Sequence, residues 1–148
     1  IRPDEDIVII TDAGMELEAK VRLARIGYDR VVGSFIADNL ADVPSEVGRA
    51  SRLTAQEFAT RRHEIDNLQV VDVRGDGEYA INHLPNASNI PVSQLRKRLA
   101  ELDPLVPTVV YCAGGYRSSI AASVLRANGF RDVSDVLGGF EAILQVQN

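Results

Sequence analysis

Cys112 opens the run Cys112-Ala113-Gly114-Gly115-Tyr116-Arg117-Ser118, directly after the apolar stretch Thr108-Val109-Val110-Tyr111, and it is the only cysteine in the 148 residues. A strand-like stretch that ends in a thiol, passes through two glycines and an arginine and then enters a helix describes a backbone cradle for one thiolate. A free cysteine titrates near ~8.5, so nucleophilic work at neutral pH requires neighbouring dipoles and cations that favour the anion. Gly114 and Gly115 let consecutive N–H groups turn inward, the helix expected to begin near Ser118 aims its positive end at the same point, and Arg117 adds a permanent cation with a planar fork of donors. Such a cradle suits a nucleophile that attacks an anionic substrate, and in general any oxyanion.

The other chemistry-bearing residues read more plainly. Asp72 and Arg74, at the end of Gln69-Val70-Val71-Asp72-Val73, read as a strand-end ion pair bracing the neighbouring loop in preference to a catalytic pair. His83 sits in a Leu-Pro turn and reads as a structural donor, since a thiolate already formed needs no general base. His63 lies beside Arg61 and Arg62 on a solvated helix end, and Arg96, Lys97 and Arg98 form a solvated basic face. Tyr116 either shapes the donor pocket or covers it. The two histidines do not have metal-ligand spacing, so no metal is expected.

Positioning these groups requires a sheet, and the chain alternates strand and helix patterns at the density of crossover units. Thr54-x-x-Glu57 is a capping box opening a helix through about His63; Arg52-Leu53, Gln69 to Val73 and Ala87 to Ile90 read as strands, the last closed by Pro91. Leu95, Leu99 and Leu102 fall on one helical face, and Ile120, Ala121, Val124 and Leu125 form the buried face of the helix after Cys112. An internal repeat links residues 7–35 with 109–137: strand, turn, helix, glycine, aromatic, strand. In the first copy Leu17, Val21 and Ala24 form an apolar stripe, Glu16–Lys20 and Glu18–Arg22 are favourable pairs, and Gly27 supplies a left-handed stop. No thiol faces Cys112 in that copy.

A net charge of −5 supplies no general basic field for nucleic acid or an anionic membrane, and 45% hydrophobic content is enough for one core and part of another. No apolar run approaches membrane-spanning length. A lone cysteine cannot form an internal disulfide, which points to a reducing, cytoplasmic setting. The start at Ile1 points to a piece of something longer.

Residues 50–148 resemble a complete rhodanese domain. The resemblance is carried in order by Val71-Asp72-Val73-Arg74 with Glu78, by His83-Leu84-Pro85-Asn86-Ala87-Ser88-Asn89-Ile90-Pro91, by the Cys112 to Ser118 loop and by Leu137-Gly138-Gly139-Phe140. Asn82 and Asn86 stand where that family usually has glycine, and asparagine tolerates left-handed angles well enough for the turn to survive. Residues 1–40 resemble the C-terminal half of a degenerate, non-catalytic rhodanese unit, with residues 41–49 as a linker. The fold implied is α/β and rhodanese-like: a mostly parallel central sheet with helices on both faces, plus a partial second α/β unit at the N-terminus.

The resemblance implies a cofactor-free sulfurtransferase. Cys112 would take a sulfane sulfur from a small anionic donor such as thiosulfate, a polysulfide or a low-molecular-weight persulfide, then pass it to a thiol or cyanide. Ala113, Gly114, Gly115, Tyr116, Arg117 and Ser118 would bind the substrate, with Asp72 and Arg74 in support. The six residues from Cys112 to Arg117 resemble sulfurtransferase members, whereas phosphatase relatives use a loop one residue longer. The alternatives are a phosphatase- or arsenate reductase-like activity and an interaction or regulatory module. A degenerate unit followed by an active one resembles the C-terminal part of metallo-β-lactamase-fold fusion proteins of persulfide metabolism, which implies such a module upstream as a partner. A half-unit would expose a sheet edge and an apolar face, so residues 1–40 are expected to pack against the second domain or, as a two-fold homodimer, against another chain.

Overall fold

A computed structural model describes residues 1–42, 48 and 50–147. The chain divides into two compact units, Ile1–Arg49 and Ala50–Asn148. Most of the expected linker, residues 41–49, lies outside the described residues.

In the first unit β1 (Ile7–Thr11) and β2 (Val31–Ile36) pair in parallel, joined by α1 (Glu16–Ala24). Buried Ile7 and Ile9 alternate with exposed Val8 and Ile10, as the pleat requires. The chain leaves α1 at Gly27, whose φ of 87° accommodates a Schellman closure: Gly27 N–H donates to Ala24 O and Tyr28 N–H to Leu23 O. Glu18 and Arg22 form the expected pair at 2.5 Å. The apolar stripe on α1, however, is not a core face. The helix buries none of its residues, and Leu17 is 73% exposed. Two strands lie only about 5 Å apart, whereas a helix with its side chains is about 10 Å wide, so this sheet is too narrow to cover it.

The second unit holds a five-stranded, all-parallel sheet in the order β3-β7-β6-β4-β5. Its strands are β3 (Ser51–Leu53), β4 (Gln69–Asp72), β5 (Ser88–Asn89), β6 (Thr108–Tyr111) and β7 (Val133–Val136). The helices are α2 (Ala55–Glu64), α3 (Asp76–Ile81), α4 (Tyr116–Ala127) and α5 (Gly139–Gln147). Alternation along the strands builds two cores. Val71, Val110 and Cys112 face Ala121, Ala122 and Leu125 of α4, while Val70, Val109 and Tyr111 pack with Phe58 of α2 and Phe140 and Ile143 of α5. Helices on both faces bury the sheet, which explains why β6 and β7 are buried at every position.

Local signals explain most boundaries. Thr54 caps α2 through a complete capping box with Glu57. At the end of α4, Gly129 (φ 89°) repeats the closure seen at Gly27: Gly129 N–H donates to Arg126 O and Phe130 N–H to Leu125 O. Two expectations fail. Leu95, Leu99 and Leu102 lie not on an α-helix but along two 3-10 turns, Leu95–Lys97 and Leu99–Glu101, because Arg98 leaves helical angles (φ −112°, ψ 14°) between them. Leu95 and Leu102 still reach the core, since successive turns satisfy the same spacing. On α4, Ile120 is 43% exposed, and the buried face runs through Ser118, Ala121, Ala122 and Leu125.

Candidate active site

Cys112 is the first residue beyond β6, at the carboxyl end of the parallel sheet where α/β folds place their sites. Its side chain is 1% exposed. Gly115 N–H donates to Sγ at 3.2 Å, and Sγ lies 3.6 Å from the buried Ser118 Oγ, to which the thiol donates. Once the thiol loses its proton, the Ser118 hydroxyl can turn to donate instead. The 12-residue helix α4 begins at Tyr116, two residues earlier than the sequence suggested, with its positive end beside the sulfur.

The two glycines of the loop are not equivalent. Gly115 has φ 96°, and a Cβ there would lie 3.2 Å from Gly138 N and 3.3 Å from Val136 O, so only glycine presents its N–H to the sulfur this way. A Cβ on Gly114 would meet nothing within 4 Å. The steric requirement for glycine therefore falls on Gly115. Tyr116 is 79% exposed.

Sequence reading missed the clamp that shapes this loop. Phe140 N–H donates to Cys112 O at 2.7 Å and Glu141 N–H to Ala113 O at 3.3 Å, so the amino end of α5 takes up the loop's carbonyls. The close approach depends on Gly139 (φ 57°), whose Cβ would sit 2.3 Å from Cys112 O and 2.4 Å from Ala113 O. The signal was the pair of glycines after a fully buried strand, seen in the sequence only as part of a motif.

Asp72 and Arg74 form a buried pair, Nη2 to Oδ2 at 2.6 Å, and Asp72 Oδ1 also accepts from Arg74 N–H at 2.9 Å. The Arg74 guanidinium lies 4.0 Å over the Phe140 ring and donates to Asn82 O at 2.7 Å. The pair thus reaches the cysteine loop through the clamp. Asn89 donates from its amide to both Asp72 O and Arg74 O, each at 3.0 Å. Arg52, bound to buried Asp135 at 2.9 Å, also donates to Gly115 O at 3.5 Å. Arg52 and Asp135, and Asn89 with its two acceptors, are far apart in sequence and carried no local signal.

The Arg117 cation has a carboxylate partner that the sequence reading did not assign to it. Its Nη1 and Nη2 donate to the two carboxylate oxygens of Glu78 at 2.6 and 2.8 Å. Glu78 also accepts from Gly75 N–H at 3.0 Å. The Arg117 hydrogen bonds, followed by the Gly75 amide, lower the Glu78 pKa to about 2 against the cost of burial. The Arg117 pKa is raised, chiefly by its hydrogen bonds to Glu78 and in smaller part by attraction to Cys112.

His83 stacks on Tyr79 with ring centroids 3.9 Å apart, and its Nδ1 lies 2.9 Å from Tyr79 O, a local structural role. Asn86 adopts φ 64° while Asn82 is extended at φ −162°, so only one of the two asparagines uses left-handed tolerance. Among the described residues, no three His, Cys, Asp or Glu side chains form a group able to hold a metal. No helix among them is long and apolar enough to cross a membrane.

The arrangement is a buried nucleophilic sulfur with an amide donor, a hydroxyl and a helix amino end converging on it, suited to forming and holding an anionic sulfur adduct. Residues 54–145 match the family described as Rhodanese-like domain. The uncharacterized protein YqhL of Bacillus subtilis is 33% identical over 111 residues, 75% of this chain and 86% of that protein. Thiosulfate sulfurtransferase GlpE of Coxiella burnetii is 32% identical over 91 residues, 62% of this chain and 81% of its own. The crystal structure of a rhodanese-like domain protein from Staphylococcus aureus superposes with a TM-score of 0.59 at 34% identity, covering 63% of this chain and 90% of that one.

Proposed function

This chain belongs to the rhodanese-like domain family, and from that premise we propose that it is a sulfurtransferase working through a persulfide on Cys112. The observation that carries the reading is the Gly115 N–H held 3.2 Å from a buried Sγ at the amino end of α4. GlpE, the thiosulfate sulfurtransferase with 32% identity, supports the same chemistry.

The Cys112 thiolate attacks the outer sulfur of the donor. A new S–S bond forms at Sγ, the donor's S–S bond breaks, and the leaving group departs with the bonding pair: sulfite from thiosulfate, a thiolate from a persulfide. The Gly115 N–H and the helix end stabilise the terminal sulfur of the adduct, and α5 keeps the loop's carbonyls turned away from it. An acceptor thiolate or cyanide then attacks that terminal sulfur and returns Cys112 to its thiolate. Residues 1–40 are, on this reading, a thiol-free partial copy that takes no part in the chemistry.

Intact mass spectrometry tests the proposal. After incubation with thiosulfate or glutathione persulfide, the chain is expected to gain one sulfur that cyanide removes and that Cys112→Ser never acquires. Wild-type protein unmodified by either donor overturns it.

A further inference from the structure

The cationic side chains around the thiol are already matched. Arg117 is held by both carboxylate oxygens of Glu78, Arg74 by Asp72, and Arg52 by Asp135. Among the described residues these are the cations in hydrogen-bond or ring contact with the Cys112 loop and its clamp. Each guanidinium is offset by a carboxylate, and Arg117, which also attracts the Cys112 sulfur, has both terminal nitrogens engaged by Glu78, so its charge is shared between carboxylate and thiolate while backbone amides and the end of α4 add to it. A dianion entering this site meets a negative charge that Arg117 offsets only in part, because Glu78 shares it. A persulfide donor, which carries at most one negative charge and reacts as its protonated form, meets less of it.

We propose that Glu78 is a specificity-determining residue, which occupies both terminal nitrogens of Arg117 and so tunes the cradle to hydropersulfide donors over dianionic thiosulfate. This rests on the sulfur-transfer reading. With a hydropersulfide RSSH, Cys112 Sγ bonds to the outer sulfur, which keeps its proton, and RS⁻ leaves with the electron pair. The donor's inner sulfur is reduced to a thiolate as Cys112 rises to the persulfide level, so no further oxidant is required. Glu78 can play this part because its position is fixed at both ends: the Gly75 N–H holds Oε2 at 3.0 Å while Arg117 spans the pair of oxygens. With its pKa at about 2, the carboxylate stays charged at any pH at which the fold would be assayed.

Calorimetric titration with thiosulfate, in a Cys112→Ser background where no sulfur can load, tests the assignment. Adding Glu78→Gln is expected to tighten binding by about tenfold at low ionic strength, because the amide leaves the Arg117 charge unopposed. Unchanged or weaker binding overturns it. With Cys112 present, intact mass gives the rates of loading from dianionic thiosulfate and from the persulfide of 2-mercaptoethanol, which carries at most one negative charge, and Glu78→Gln is expected to raise the ratio of the first to the second by a similar factor. A merely structural role for Glu78 would slow both donors and leave the ratio where it was. Should Glu78→Gln fail to fold, wild-type protein supplies the answer: raised salt is expected to speed loading from dianionic thiosulfate relative to the persulfide, and a relative slowing overturns the assignment. Tightened binding without sulfur uptake from either donor would reject the sulfur-transfer reading alone. Uptake with binding and ratio unmoved would reject the role of Glu78 alone.

Discussion

Arg74 is 5% exposed and Asp72 fully buried, a depth at which an unmatched charge cannot persist. Their pairing was legible because the two residues stand two apart at the end of one strand. The Glu78–Arg117 pair was not, because 39 residues separate its members and nothing local marks a carboxylate that will meet a guanidinium across the site. The two pairs should also respond differently to truncation. Asp72→Ala strands the Arg74 guanidinium, leaving it the hydrogen bond to Asn82 O, and is expected to destabilise the second unit by about 3–5 kcal/mol. Urea unfolding measures this, and a loss under about 1 kcal/mol would show that the site hydrates readily. The Glu78–Arg117 pair, with side chains 41% and 35% exposed, is screened by solvent, so its consequence lies in charge and not in stability.

At the scale of elements, the loop's shape is imposed from outside itself. The thiol-bearing run announced a strand, a turn and a helix, and those formed; the amino end of α5, which binds the carbonyls of Cys112 and Ala113, is contributed by residues more than twenty positions further on. Gly139→Ala places a Cβ against backbone oxygens that cannot move aside, at a left-handed φ, and is expected to cost on the order of 3 kcal/mol and to abolish sulfur loading. Gly77→Ala, on α3 with nothing within 4 Å of the new Cβ, is expected to be neutral or to stabilise by up to about 1 kcal/mol. Thermal melts of the two variants separate a steric requirement from a general intolerance of alanine. Periodicity succeeded where an element packs on a broad sheet and misled where it does not: the leucines at 95, 99 and 102 ride on two 3-10 turns, and the stripe of α1 has only two strands beneath it.

The whole molecule is uneven. The second unit owns both cores and every contact named at the site, whereas Ile7 and Ile9 are the buried hydrophobic residues described in the first. Two strands and one helix with that little burial do not meet the entropy cost of folding by themselves. Residues 50–148 alone are therefore expected to unfold cooperatively and to load sulfur at a rate within about twofold of the full chain, while residues 1–49 alone show no cooperative transition. Circular dichroism with denaturant and intact mass check both halves of this statement. Failure of residues 50–148 to fold would make the first unit a structural requirement.

The clamp also limits how the loop could be moved by an engineer. Both copies of the repeat offer the same parallel strands and the same glycine closure at Gly27 and Gly129, so the turn after β1 looks like a ready socket for Cys112 to Ser118. Yet β2 runs straight into the 3-10 turn Ala37–Asp42, where β7 is followed by Gly138, Gly139 and α5. A graft would bring the thiol and the amides without the segment that keeps the carbonyls averted. The portable unit is thus the loop together with the start of α5, two pieces that would have to be transplanted as one.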